Sequence, residues 1–195
     1  WSRKIHDQNV YCVRTPDCPG DDCPKTRARE SVGNPIQALT GAKLQRVVDY
    51  EGAGEFPLRF ERTYRSSGHV APVVLGNPPV QYEFGLSWTH NYFGVLTYFG
   101  PDGRNLSIDR GRGPRYYRLS ADNTKLVPSG NQRDEVRPIG AVGSVTGFTR
   151  IDARNHQEIY DILGRLRELR DGKGNAHVLH YQGSSFKLLS VSDGF

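Results

Sequence analysis

The sequence predicts an all-β fold: antiparallel sheets of short strands and hairpins, preceded by an irregular lead-in. Three observations predict it. The 195 residues include 22 glycines and 12 prolines, about 17% turn-formers against roughly 12% on average. Residues 56–65 alternate strictly, with Phe56, Leu58, Phe60, Arg62 and Tyr64 on one face and Pro57, Arg59, Glu61, Thr63 and Arg65 on the other. Residues 160–181, YDILGRLRELRDGKGNAHVLHY, then start over: Lys187 to Asp193 echoes Arg165 to Asp171, and Tyr181 follows Tyr160. A period near 21 residues marks a repeating supersecondary unit. Helical windows are missing, because Gly or Pro breaks nearly every stretch of about ten residues.

Length allows one domain, or one domain with an extension. The formal charge is +5, with 26 basic residues interspersed among 21 acidic ones. A nucleic-acid binder concentrates its basic residues in a stripe or tail. The nearest approach is residues 104–118, where Arg110, Arg112 and Arg115 stand beside Tyr116 and Tyr117 and could hold a single strand by charge and stacking. That segment reads as a Gly-Arg turn leading into an exposed strand, and no specific nucleic-acid partner is expected. No run of 18 apolar residues exists, so no membrane span is expected. No signal peptide is apparent and methionine is absent, which reads as a piece processed or excised from something longer. Cys12, Cys18 and Cys23 fall within twelve residues. They can form a local disulfide, stay free, or bind zinc with a fourth ligand such as His6; their spacing matches no C-x-x-C knuckle.

Along the chain, residues 1–31 form a polar lead-in in which Pro16, Pro19, Pro24 and Asp21-Asp22 resist regular structure. Residues 32–150 read as an opening β domain and 151–195 as the start of the repeat array. Gly33-Asn34-Pro35-Ile36 and Thr40-Gly41-Ala42-Lys43 are turns, and residues 44–50 form a strand closed by Glu51-Gly52-Ala53-Gly54. Residues 56–65 are the clearest strand; the stem of Arg62 is expected on the core with its head at the edge. Residues 66–80 are a loop. Leu86, Trp88, His90 and Tyr92 alternate along 85–92, residues 95–99 continue the sheet, and Pro101-Asp102-Gly103-Arg104 turns the chain into a return strand at 105–108. Further strands are expected at 116–119, 125–127, 147–151, 156–160, 165–169, 177–181 and 187–193.

Candidate chemistry is sparse. His90 stands among aromatics, and Asp102, Asp109, Asp152 and Glu158 supply carboxylates from which an acid–base pair could be assembled. No nucleophile elbow, HExxH or phosphate loop accompanies them. His90 therefore reads as a hydrogen-bonded sheet histidine, and Tyr160-Asp161 as a strand-edge aromatic with a turn-capping carboxylate. No catalytic, cofactor or metal residue is assigned.

Five segments, in order, resemble an Rhs or YD-repeat protein over about residues 32–195. Gly33-Asn34-Pro35-Ile36 with Thr40-Gly41-Ala42-Lys43 resembles "GNPV…TG", and Asp49-Tyr50 through Arg65 resembles "DY…G…FPL.F.R.Y". Gly85 through Tyr92 resembles "G.GW.H.Y", Pro101-Asp102-Gly103-Arg104 resembles "PDGR", and Tyr160 through Asp171 resembles "YD..GRL..I.D..GN". The second repeat departs, with Tyr181-Gln182 in place of Tyr-Asp and Phe186 where Gly belongs. The resemblance implies the N-terminal opening segment plus the first one to two repeats of a β-strip that winds into a hollow shell, or cocoon. Such shells enclose a C-terminal toxin, in a secreted or bacterial cell-surface protein used in competition or against a host. The implied partners are the remaining repeats and the toxin of the parent chain, with self-association through open sheet edges, and no cofactor. The runner-up readings are a cell-surface β module that binds glycans through exposed Tyr and Trp, and a hydrolase with an unidentified site.

Overall fold

The computed structural model describes residues 2–6, 9–13, 36, 41–68, 84–85, 87–99, 104–130, 132–141 and 144–194, the first two stretches by backbone alone. None of these residues is helical, and the fold is all-β. The expected irregularity of the lead-in does not extend to its start. There β1 (Ser2–His6) pairs antiparallel with β2 (Asn9–Val13). The prolines lie beyond Val13, whereas Ile5, Val10, Tyr11 and Val13 favour extended backbone.

A three-stranded antiparallel sheet follows, β3 (Leu44–Glu51), β4 (Arg59–Arg65) and β5 (Trp88–His90). A bulge between Val48 and Tyr50 holds Asp49 out of the ladder. Arg62 donates from Nε and Nη2 to its two oxygens at 2.5 and 2.7 Å, and the guanidinium lies over the Trp88 ring at 5.2 Å. The head of Arg62 is thus held by a fork and an indole. The strand expected over 85–92 is shorter, because the chain turns at Asn91 and Tyr92. The Asn91 side chain continues the pairing in the strand's place: Oδ1 accepts from Glu61 N at 3.0 Å and Nδ2 donates to Arg59 O at 2.7 Å.

The remaining strands form one antiparallel meander in chain order. They are β6 (Val95–Phe99), β7 (Asn105–Asp109), β8 (Pro114–Leu119), β9 (Leu126–Pro128), β10 (Glu135–Ala141), β11 (Ser144–Ile151), β12 (Gln157–Asp161), β13 (Leu166–Arg170), β14 (Ala176–Tyr181) and β15 (Leu188–Asp193). β6 and β7 pair from Val95↔Asp109 to Phe99↔Asn105, the register of a hairpin, although Pro101, Asp102 and Gly103 lie outside the described residues. β10 escapes the alternation criterion because Pro138 and Gly140 interrupt it. β9 meets β10 at Val136↔Leu126, so Pro138 falls where β11 is the neighbouring strand on one side, a setting that tolerates proline.

The meander curls until its first strand meets the β12–β13 turn. Val95 bridges Arg165, Leu96 N donates to Gly164 O at 2.8 Å, and Leu166 N donates to Gly94 O at 3.3 Å. Gly164 sits at φ +83°, and a Cβ there would lie 2.1 Å from Leu96 O, so only glycine fits this seam. The curl encloses one core of Leu96, Leu106, Ile108, Tyr117, Leu126, Val136, Phe148, Tyr160, Leu166 and Leu179, with Leu58 and Phe60 of the opening sheet packed on it.

The repeat is built from one turn used three times. Asp161 Oδ1 accepts from the amides of Leu163 and Arg165 at 3.1 and 2.9 Å. Asp171 does the same for Lys173 and Asn175, both at 2.9 Å, and Asp152 for Arg154 and His156 at 2.8 and 2.9 Å. The residue three after each aspartate is left-handed, which Asn155, Gly164 and Gly174 tolerate. Asp161 is therefore the expected turn cap. Tyr160, expected at a strand edge, is instead in the middle of the sheet with 0% exposure, since Phe148 and Leu166 flank it as cross-strand partners.

Candidate functional site

β8 places its side chains alternately. Arg115 and Tyr117 point inward and are buried, while Tyr116 and Arg118 face out. The expected exposed strand at 104–118 is thus only half exposed, because the alternation carries a cation as well as an aromatic into the core. Inside, Asp134, immediately before β10, receives three donors on Oδ2. These are Arg115 Nη1 at 2.6 Å, Tyr117 OH at 2.7 Å and Arg150 Nε at 2.7 Å. Arg150, on β11, stands opposite Glu158 on β12 and reaches its Oε1 at 3.1 Å. Tyr160 OH donates to Glu158 Oε2 at 2.8 Å, and Arg110 Nε lies 3.5 Å from Oε1. The cluster ties the β7–β8 turn, β8, β10, β11 and β12 together.

Its protonation states are fixed by its members. Burial raises the pKa of Asp134, but the Tyr117 hydroxyl and the charges of Arg150 and Arg115 outweigh it and hold the carboxyl below its ordinary range. Burial likewise raises Glu158, and Arg110, Arg150 and Tyr160 bring it below the ordinary value. Burial, then the Glu158 charge, pushes the Tyr160 phenol up. Near neutral pH the carboxylates stay ionised and the phenols protonated, so the cluster clamps strands and offers no proton donor or acceptor of intermediate strength. Asp134 Oδ1 accepts no hydrogen bond from a described residue, and Asp134 borders an open cleft of about 480 Å³ with Lys125, Gln132, Glu135 and Asp152.

The sequence candidates fall in different places. His90 is buried on β5, stacked on Phe60 at 5.4 Å. Burial, with the Arg110 charge adding to it, lowers its pKa to about 4, so the ring is neutral. Asp109 caps the amides of Gly111 and Gly113 at 2.7 and 3.2 Å, Asp152 caps its own turn, and Glu158 belongs to the cluster. Asp102 lies outside the described residues, as do Cys18, Cys23 and the side chain of Cys12. Among the described residues no three His, Cys, Asp or Glu side chains converge on a metal-binding position, and no helix is long and apolar enough to cross a membrane.

Two further contacts reach across the fold, one from the repeats to the opening segment and one between turns of the repeats. His177 of β14 stacks on Phe56 at 4.0 Å and bonds its carbonyl through Nε2 at 3.0 Å. A carbonyl only accepts, so Nε2 carries the proton, and in the neutral ring Nδ1 accepts from Tyr92 OH at 3.2 Å. Arg165 donates to Asp161 Oδ2 at 2.8 Å and to the carbonyls of Gly183 and Ser185 at 2.6 and 3.2 Å. It thereby ties the β12–β13 turn to the β14–β15 turn. The signal for Arg165 was present in Gly164-Arg165; that for His177 needs the fold, since its partners are 121 and 85 positions away.

These features define a curled antiparallel sheet, clamped inside by charge and covered at one end by a small second sheet. Residues 33–113 match the family model described as Domain of unknown function (DUF6531), a stretch that takes in the small sheet and the first strands of the curl. No curated protein matches the chain.

Proposed function

We propose that the chain is a structural segment of a bacterial Rhs or YD-repeat protein. It begins and caps a β-strip whose continuation encloses a C-terminal toxin, in a secreted or cell-surface protein. The observation that carries the reading is the seam at Gly164 and Arg165. The Tyr-Asp turn there receives the first strand of the sheet on one side and holds the β14–β15 turn on the other. A turn used in this way sets the curvature of a strip and passes it to the next repeat. The charged cluster supports a scaffold role, because Arg115, Tyr117, Asp134, Arg150, Glu158 and Tyr160 tie several strands together through mutual ion pairs and hydrogen bonds. No catalytic residue and no cofactor are proposed. The glycan-binding reading needs exposed aromatic faces; Trp88 is covered by Arg62 and Tyr64, which leaves Tyr50, Phe84 and Tyr116 as exposed aromatics among the described residues.

The test is the parent reading frame and its product. Further Tyr-Asp-x-x-Gly-Arg turns after Phe195, ending in an unrelated domain, are expected. In the purified parent protein that last domain should resist protease until Gly164→Val opens the strip. A frame without further repeats, or a terminal domain digested as fast in the unmodified protein as in the variant, overturns the reading. Saturable binding on a glycan array by the monomer would favour the surface module instead.

A further inference from the structure

We propose that β5 is a latch released by acid: when His90 takes up a proton, β5 leaves β4 and unties the opening sheet from the curl. The chemistry stands without the shell reading. Its use rests on that reading, in which this joint seals the end where the strip begins.

β5 is the strand that couples the two sheets. It pairs with β4 at three positions, Arg62↔His90, Thr63↔Thr89 and Tyr64↔Trp88, and β6 of the curl begins soon after it, at Val95. Backbone bonds on either side complete the pairing, Arg65 N to Ser87 O at 2.7 Å and Asn91 N to Glu61 O at 3.0 Å. In so short a ladder the cross-strand side chains decide whether the strand stays.

His90 is the centre of that packing. Its ring is 8% exposed, stacks on Phe60 of β4 at 5.4 Å and meets the edges of Phe84 and Phe93 at 6.1 and 6.4 Å. A protonated ring would give up its water among three phenyl rings. The described charges around it are cations with partners of their own. Arg62 stands opposite on β4 and is tied to Asp49 of β3. Arg110, in the β7–β8 turn, donates to Asn91 O at 2.8 Å, and Glu158 of β12 lies 3.5 Å from its Nε. Burial, and then the Arg110 charge, lower the pKa of the ring to about 4. The other histidine of the joint, His177 of β14, is bonded to Phe56 and Tyr92 and lies off β5.

A released β5 returns His90 to water, where its pKa is 6.5. Below that value the released form gains on the closed one about tenfold per pH unit, until the buried ring protonates as well. From pH 7.5 to 5 its population should rise about thirtyfold.

Amide hydrogen exchange of the full chain at pH 7.5 and 5, expressed as protection factors, tests this. The Arg65 and Asn91 amides, which bond across β4 and β5, should be less protected than the β11–β12 ladder at both pH values. Their protection should fall about thirtyfold between the two. His90→Phe, which suits the aromatic setting, should remove that fall, and His90→Gln should do so if the phenylalanine variant does not fold. Protection equal to that of β11–β12 would mean that β5 opens only when the whole chain unfolds, and overturns the proposal. So does a lower protection that ignores pH, or a fall that persists without His90. Each of these leaves the shell reading standing, because that reading is decided by the parent reading frame.

Discussion

The corresponding turns of two successive repeats do the same backbone work with different chemistry. In the β12–β13 turn, Asp161 N donates to Arg165 O and Gly164 N to Asp161 O. In the β14–β15 turn, Gln182 N donates to Lys187 O and Ser185 N to Gln182 O, a loop one residue longer. The first is locked by a carboxylate, a left-handed glycine and the returning β6. The second has Ser185 Oγ accepting from Lys187 N at 3.2 Å where the carboxylate would act. Its extra length accommodates Phe186, which packs on Phe93 and Val95. The difference teaches that the Tyr-Asp turn is a closure device. At Gln182, where the carboxylate is missing, the backbone turn persists and the longer loop takes up packing through Phe186.

The largest expected break of this contrast is at the glycines. Gly164→Ala forces a Cβ against Leu96 O at a backbone angle that side chains rarely adopt. It should cost more than about 4 kcal/mol in urea unfolding, or abolish folding. Gly183→Ala, at φ +52° with nothing within 4 Å, should cost about 1 kcal/mol. Equal losses would show that the seam is not what holds the first turn.

Next in size is the charged cluster, which lies within the locked part. Arg150→Ala leaves Asp134 and Glu158 short of a donor in a buried setting and should cost about 3–5 kcal/mol. The pair of Lys173 with Glu55, at 2.7 Å but exposed on both sides, should contribute less than about 1 kcal/mol when Lys173 is replaced by Ala. Hydrogen exchange of β8, β11 and β12 amides should accelerate in the first variant alone.

The third break is by pH, at the joint between the opening sheet and the curl. His90 has a folded pKa of about 4, lowered from 6.5. Between these values the unfolded chain takes up a proton that the folded chain refuses. Stability should therefore fall as pH drops from about 6.5 to 4, by on the order of 3 kcal/mol, and the loss is complete below the folded pKa. His90→Phe should flatten that limb if the variant folds. Asp134 and Glu158, whose folded pKa values are lowered, contribute stability that is present above the unfolded carboxylate range and lost at lower pH, so their limb lies below that of His90. A flat profile between pH 6.5 and 4 in the unmodified chain would sink this account of His90.

What the sequence made legible was local. Aspartate followed three residues later by Gly or Asn states a turn by itself; the strand at 177–181 follows from alternation, and those at 44–50, 95–99 and 105–108 from the turns that bound them. Three things were not local. Pro138 and Gly140 hid β10, which exists because β11 and Leu126 accept it as a neighbour. Asn91 ended a strand whose alternation continued to Tyr92, and only pairing with β4 shows why. The cluster of Arg115, Asp134, Arg150 and Glu158 depends on register across four strands. A buried arginine looks like a surface one until its partners are placed. Tyr160 was visible as a repeat marker, but its depth was not, because a tyrosine before a turn aspartate fits an edge as well as a core.

The smallest effect separates the two turns most directly. Asp161 Oδ1 holds two turn amides while Oδ2 holds Arg165, so Asp161→Ala removes a cap and releases the inter-turn tie together. By analogy with helix caps this should cost about 1–2 kcal/mol. Gln182 occupies the matching position and contributes its backbone to the turn, so Gln182→Ala should change stability by less than about 0.5 kcal/mol. If Asp161 acts through Arg165, Arg165→Ala combined with Asp161→Ala should cost less than the sum of the single losses. Strict additivity would mean that the carboxylate serves its own turn alone. Closure would then belong to Gly164 and β6, with the arginine an independent tie to Gly183 and Ser185.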